Sequence, residues 1–249
     1  MTANLLAVDR HKPLNSITRR MDATAWTTWR LHSRLVYFEA TRIGRTFSET
    51  KHNLLFPTSA IFSVSSSSST GEFAEASLIG HEGCVGIWAL CDPALNHVAT
   101  RLQTSGYALA VSKDFLLGMF HHSPEFRFAL LDHAALTIKC AIQTCYCYRH
   151  HSIYQQVVKM LLLTLRRTRR ADIELSHHLI ATTLGVRRES VSIALRRLKS
   201  LQLIELRRRQ IQVLDEKALE LQACGCYPIV CEYLGYTARS NIVERADSE

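Results

Sequence analysis

The sequence lacks any apolar run approaching the roughly 18 residues that a membrane-spanning helix needs, and its first residues, MTANLLAVDRHKP, contain no apolar signal segment. Both absences lead to the expectation of a soluble, cytoplasmic protein with no membrane partner. Also missing are a glycine-rich phosphate loop, a G-x-S-x-G elbow, an H-E-x-x-H helix and a readable pair of catalytic carboxylates. No catalytic residue is therefore assigned, and an enzyme carrying an incidental basic domain is the least supported reading.

The eight cysteines do not sit in a short secreted chain, so a disulfide framework is not expected. Cys84 and Cys91 are isolated. Cys140, Cys145 and Cys147 fall in a helical pattern where they point in different directions, so that helix alone cannot gather them round an ion. Cys224, Cys226 and Cys231 lie close together in ACGCYPIVC, where a metal or iron–sulfur site competes with reduced structural or redox-active thiols. The thiols are the preferred reading, so no metal and no cofactor are assigned. The twelve histidines, including pairs at 121–122, 150–151 and 177–178, show no ligand spacing and read as surface or capping residues.

What the chain does have is a concentrated positive charge. Of its 249 residues, 47% are hydrophobic and 21% charged, enough for a substantial core in one large or two modest domains. Between Ser152 and Leu214 there are 13 Lys and Arg against 4 Asp and Glu, whereas the rest of the chain holds 17 basic and 18 acidic residues. The net charge of +8 thus belongs to one stretch, the footprint of polyanion binding. A basic membrane-surface helix competes, but it would carry no turn and would show Leu-rich or aromatic amphipathicity beside the arginines.

Within that stretch, LSHHLIATTLGVRRESVSIALRRLKSLQLI (175–204) reads as two short amphipathic helices flanking Gly185. Ile180, Ala181 and Leu184 form the buried stripe of the first, and Val191, Ala194, Leu195 and Leu198 that of the second. Gly185 supplies the left-handed conformation that ends a helix without a Cβ clash. The second helix presents Arg187, Arg188, Glu189, Ser190 and Ser192 outward, where they can reach base edges and phosphates. An ordinary helical hairpin with a solvated charged face is the alternative. Against it stands the next segment, LIELRRRQIQVL, two short alternating runs joined through Arg207, Arg208 and Arg209: a β-hairpin with a basic tip, as in a winged helix-turn-helix.

Upstream, Met21 to Trp29 reads as a short helix whose Trp26 and Trp29 pack onto the strand-rich domain after it. Short runs at Leu35–Phe38, Asn53–Phe56, Ala60–Val64, Phe73–Ile79, Val98–Gln103 and Tyr107–Val111 predict that domain as a small barrel or sandwich. Ser65 to Ser69 reads as a hairpin loop. Asp114–Met119 predicts a turn or two of helix, and Pro124 opens a long one. Along it Leu131, Ala134, Ile138, Ala141, Cys145 and Tyr148 recur at alternating intervals of three and four, a heptad seam for dimerisation or for packing on the chain's own barrel. A further helix, Tyr154–Leu165, runs into Arg166, Arg167, Arg169 and Arg170, cations that suit a helix C-terminus and a nearby phosphate.

This order of elements resembles the Crp/Fnr family of bacterial transcription regulators. The specific match is LGVRRESVSIALRRLKSLQLIELRRRQIQVLD, with IGHEGCVGIWAL similar to the glycine-bearing turn of the family's sensor barrel. The resemblance implies an α+β fold: an N-terminal β-roll sensor domain (1–123), a long dimerisation helix (124–151), a C-terminal winged helix-turn-helix (152–218) and a tail (219–249). It also implies a sequence-specific regulator bound to double-stranded DNA as a homodimer, with RNA polymerase as a further partner and an effector or redox signal unidentified. A non-specific nucleic-acid-binding or scaffold protein is the rival. The expected base contacts are Arg188, Glu189, Ser190 and Ser192. Expected phosphate contacts are Arg169, Arg170, Arg187, Arg196, Arg207, Arg208 and Arg209. A third base-reading arginine of the family falls on Ile193. Gln202 and Gln210 stand where glycines are common at the helix end and the wing tip. Family members that bind cyclic nucleotides carry Gly-Glu and Arg-Ser pairs, matched here by Gly86-Ile87 and by residues near Asn96-His97-Val98-Ala99, so cyclic-nucleotide binding is not expected. The oxygen-sensing members' N-terminal cysteine cluster has no counterpart before Cys84.

Overall fold

The computed structural model describes residues 2–39, 52–67, 73–90, 98–168, 170, 172–208 and 210–236. The N-terminus holds more helix than the one expected at Met21–Trp29: α1 (Thr2–His11), α2 (Ser16–Arg19) and α3 (Ala23–Leu31) precede the first strand. Asp22 caps α3 by accepting from the Ala25 amide at 2.7 Å. Trp26 and Trp29 stack at 5.1 Å, and Trp29 meets Phe56 edge-on at 5.3 Å, so this helix seals one face of the β-structure.

Among the described residues six strands come next: β1 (Ser33–Phe38), β2 (Asn53–Pro57), β3 (Ile61–Ser67), β4 (Phe73–Ile79), β5 (Val98–Thr104) and β6 (Gly106–Ser112). They form two antiparallel sheets, ordered β1-β6-β2 and β4-β3-β5. Alternation along β2 explains its wholly apolar stretch. Leu55 enters the core between the sheets with Phe38, Phe62, Ile79 and Leu102, while Leu54 and Phe56 face the helices with Trp29, Leu116, Phe126 and Leu130. The serine run departs from the expected loop. Ser65–Ser67 continue β3, all three paired to β4 and Ser65 and Ser66 also to β5, because ladder bonds come from the backbone whatever the side chain. The Ser65 hydroxyl is satisfied by the Ala99 carbonyl. The remainder of that run lies outside the described residues.

Helix α4 (Lys113–His122) leads into α5 (Pro124–His150), which starts with Pro124 after Ser123, whose hydroxyl accepts from the Phe126 amide. One face of α5 packs on the roll: His133 Nε2 donates to the Cys84 carbonyl at 2.7 Å, so close that a Cβ on Gly83 would collide with the ring. After His151 come α6 (Ile153–Thr168), β7 (Asp172–Ile173), α7 (His177–Leu184), α8 (Arg188–Ser200), β8 (Ile204–Arg207), β9 (Gln210–Val213), α9 (Glu216–Glu220) and α10 (Cys226–Tyr233). The segment after residue 219, which reads from the sequence as a loose tail, contains α10, which packs back onto α5 and α6 through Tyr227, Val230 and Cys231.

Candidate nucleic-acid interface

Ser176 starts α7, its hydroxyl accepting from the Leu179 amide at 3.1 Å. Gly185 ends it in the left-handed region, φ 65° and ψ 34°, and the Val186 amide closes the turn onto the Ala181 carbonyl. Val191, Ala194, Leu195 and Leu198 of α8 are buried in the same core as Leu179, Ile180, Ala181 and Leu184. The stripe read from the sequence is therefore the packed face. At α8's N-terminus Arg187 is extended and its side chain makes no capping bond. The Ser190 amide bonds back to the Arg187 carbonyl, and the Arg188 and Glu189 amides have no acceptor among the described residues.

Opposite the packed face, Glu189, Ile193, Arg196 and Ser200 recur at steps of four, three and four, all exposed, with Arg187 and Arg188 at the exposed N-terminal end. Two expected base readers sit elsewhere. Ser192 is turned toward α7, its hydroxyl 2.9 Å from His177 Nδ1, and Ser190 is half-buried. Burial, reinforced by the charges of Arg188 and Arg196, holds the His177 imidazole below its ordinary pKa. Ile193, 60% exposed, occupies the outward position instead. Its exposure comes from α8's 3.6-residue period.

Strands β7, β9 and β8 form the wing sheet in that order, with Arg207 paired opposite Gln210 and Arg208 exposed at the turn. Arg207 lies 3.4 Å from Glu205, an exposed pair. Just before the wing, Gln202 adopts φ 57°, the conformation for which a glycine is common at that position.

The arginines that end α6 depart from the expected phosphate-facing group. Arg167 is buried and pairs with Glu82 at 2.8 Å, donating also to the Leu163 and Leu78 carbonyls, both at 3.1 Å. Burial alone would raise the Glu82 carboxyl, but Arg167, with His81, holds it below its ordinary range. Arg166 pairs with Glu220 at 2.7 Å and donates to the Tyr227 hydroxyl. Arg197 lies over the Tyr154 ring, 4.5 Å from its centroid. Arg170 is exposed and lines a cleft with Asp172 and Glu174. Arg169 and Arg209, together with Cys91 and Asn96-His97, lie outside the described residues.

On α5 the exposed apolar stripe is Phe128, Leu131, Ala135, Ile138, Ile142 and Cys145, at alternating intervals of three and four. It shares Leu131, Ile138 and Cys145 with the expected seam. Ala134, Ala141 and Tyr148 lean inward, Tyr148 onto the core of the winged domain. The exposed stripe is thus rotated about the helix axis from the expected one, because the opposite face docks on the chain's own roll.

Away from these surfaces the fold gathers Cys147, His151, Cys224 and Cys226, with ligand atoms all within 4.8 Å of one another. The sequence alone assigns no such group; the packing of α10 against α5 brings these four side chains together.

Residues 155–221 match the family model described as the Crp-like helix-turn-helix domain. The fold as a whole is similar to that of FixK2 from Bradyrhizobium japonicum, with 15% identity, 78% of this chain and 98% of that one covered, and a TM-score of 0.62. It is also similar to the c-di-GMP responsive global regulator CLP of Xanthomonas campestris, with 16% identity, 78% and 100% covered, and a TM-score of 0.59. A CRP-family transcriptional regulator from Thermus thermophilus shares 18% identity over 77% of this chain and 94% of that one, with a TM-score of 0.58. Comparison with curated protein sequences gives no match. Residues 155–221 thus form a Crp-like helix-turn-helix domain, carried on a fold similar to that of these regulators. Among the described residues no helix is long and apolar enough to cross a membrane.

Proposed function

We propose that the protein binds DNA as a homodimer, placing the N-terminal half of α8 in the major groove and the wing on the sugar–phosphate backbone. The observation that carries this reading is the sorting of the arginines: Arg187, Arg188, Arg196 and Arg208 face solvent, while Arg166 and Arg167 are enclosed by partners inside the chain. Arg188 has the fork geometry for O6 and N7 of a guanine, and Glu189 accepts from a cytosine amino group. Ile193, between Glu189 and Arg196 on the same face, offers an apolar contact to a thymine methyl. The uncapped amides of α8, with Arg187, Arg207 and Arg208, serve the phosphates.

The α5 stripe joins two copies, since an exposed heptad of Phe, Leu and Ile beside a half-site reader suits a two-fold partner. RNA polymerase is the partner through which such a dimer would act on transcription. The roll serves signals other than cyclic nucleotides. Its intersheet space is filled by Phe38, Leu55, Phe62 and Leu102, and Ile87 follows Gly86 where a carboxylate would hold a ribose. A calorimetric titration giving a micromolar dissociation constant for cyclic AMP or cyclic GMP would overturn that part.

Competition between selected and random duplexes tests the whole, with a preference of about 10³-fold or more expected for the selected site. Equal affinity for both would leave only a non-specific electrostatic platform. In parallel, Ile138→Glu places a charge at the centre of the stripe and converts the dimer to monomer, with loss of most DNA affinity. Wild-type protein that sediments as a monomer at micromolar concentration would sink the dimer.

A further inference from the structure

Four side chains from two distant segments converge where α5 ends. Cys147 occupies the last turn of α5 and His151 comes four residues later as its C-terminal cap, so both point to one side. Cys226 opens α10, and Cys224 stands two residues before it. Cys147 Sγ lies 3.7 Å from Cys224 Sγ, and Cys226 Sγ lies 3.4 Å from His151 Nδ1. The three thiols are buried and form a small cluster of their own, separate from the main cores, with His151 at its half-open edge.

These separations have a specific meaning. A tetrahedral ion with bonds of about 2.3 Å to sulfur and about 2.0 Å to nitrogen sets S–S edges near 3.8 Å and S–N edges near 3.5 Å. A disulfide would need about 2.05 Å between sulfurs. A cubane iron–sulfur cluster puts each thiolate on a different iron and needs a wider cage than one whose donor atoms all lie within 4.8 Å. We propose that Cys147, His151, Cys224 and Cys226 bind a single Zn²⁺-type ion, a closed Cys₃His site that fastens α10 to the junction between the dimer-forming helix and the DNA-binding domain.

The surroundings fit such an ion. Gln143 Nε2 donates to Cys226 Sγ at 3.0 Å, the kind of outer contact that orients a thiolate ligand. Three thiolates on a divalent ion leave one negative charge, and the buried Lys159 ammonium lies within electrostatic reach of Cys147. Its Nζ has no hydrogen-bond partner among the described residues and lies 5.6 Å from the Tyr148 ring centroid. Binding releases the thiol protons to solvent and forms three Zn–S bonds and one Zn–N bond, with no change of oxidation state. Four protein ligands leave no open position, so the ion's role is structural. Cys231, the third cysteine of the sequence cluster, points into the core of the winged domain and is not a ligand.

Metal analysis of the full chain, purified under reductant and reconstituted with zinc, is expected to give one ion per chain. Co²⁺ in its place should give the intense visible bands of tetrahedral cobalt with thiolate-to-metal absorption in the near ultraviolet. The double variant Cys224→Ser, Cys226→Ser should lose both signals, while Cys231→Ser keeps them. Cys226→His, which retains a donor atom, should keep the ion with shifted cobalt bands, separating lost ligation from lost folding. Chelation should lower the melting temperature of wild type but leave that of the double variant unmoved. Wild-type protein that takes up no Zn²⁺ or Co²⁺, an octahedral cobalt spectrum, or equal metal in wild type and double variant would overturn the site. So would co-purification of iron with sulfide.

Discussion

Two groups of arginines lie about twenty residues apart in sequence and meet opposite surroundings. Arg166 and Arg167, at the end of α6, are enclosed by Glu220, Tyr227 and Glu82, and Arg167 ties the helix to the β4 end of the roll. Arg187 and Arg188, at the start of α8, meet solvent and form no ion pair among the described residues. A charge census treats the two groups alike. The difference is whether a carboxylate is delivered by another part of the fold, and that decides whether an arginine serves stability or an outside polyanion.

The largest effect should come from the enclosed group. Arg167→Ala leaves the largely buried Glu82 carboxylate without its charge partner and is expected to cost about 3–5 kcal/mol of stability by denaturant titration, with little change in the salt slope of DNA binding for the fraction that remains folded. Because the Glu82 carboxyl is held below its ordinary value of 4.5, the pair's contribution is full above that pH and is lost as pH falls through the lower folded-state value. Wild type should therefore lose stability more steeply than Arg167→Ala on acidification below about 4.5. Parallel acid profiles would erase the proposed difference between the groups.

Next in size is Arg188→Ala, expected to cost about 1–3 kcal/mol on the preferred duplex and much less on one altered at the contacted base pair, with unfolding unchanged. An equal loss on preferred and random duplexes would show that Arg188 is merely a phosphate contact. Arg208→Ala should weaken all duplexes alike and make the slope of log affinity against log salt shallower by about one unit per half-site. A base-pair-specific loss in this variant would move base reading to the wing.

The smallest expected effect removes no charge. Gln202 carries a side chain at φ 57°, so Gln202→Gly should relieve left-handed strain and stabilise the domain by about 1 kcal/mol or less, net of the chain entropy glycine adds. Thermal unfolding measures it. A loss of stability would mean that the Gln202 side chain contributes more than its backbone costs.

The elements around the interface are readable because they are built from neighbours. Ser176, Gly185 and the stripe Val191–Ala194–Leu195–Leu198 lie at the fixed offsets that a cap, a turn and a 3.6-residue helix require, and the sequence preserves offsets. For the same reason all six strands of the roll stand within a few residues of where alternation puts them. Helical periodicity fails on α5, where apolar residues lie on two adjoining faces. Only the docking of His133 against Cys84 selects which face is used up and which stays free. Ser192 departs from its expected base contact for a related reason: α7 lies against it and engages its hydroxyl.

By itself, then, the sequence determined the class of the molecule: where the positive charge lies, that a helix-turn-helix and a basic hairpin succeed one another, and that a strand-rich region and a long helix precede them. Tertiary structure decided which of these side chains remain available. Arg167 meets Glu82 across 85 positions and Cys147 meets Cys224 across 77. Such pairings are set by how whole elements pack, through many individually weak apolar contacts spread along the chain, and no local pattern encodes them.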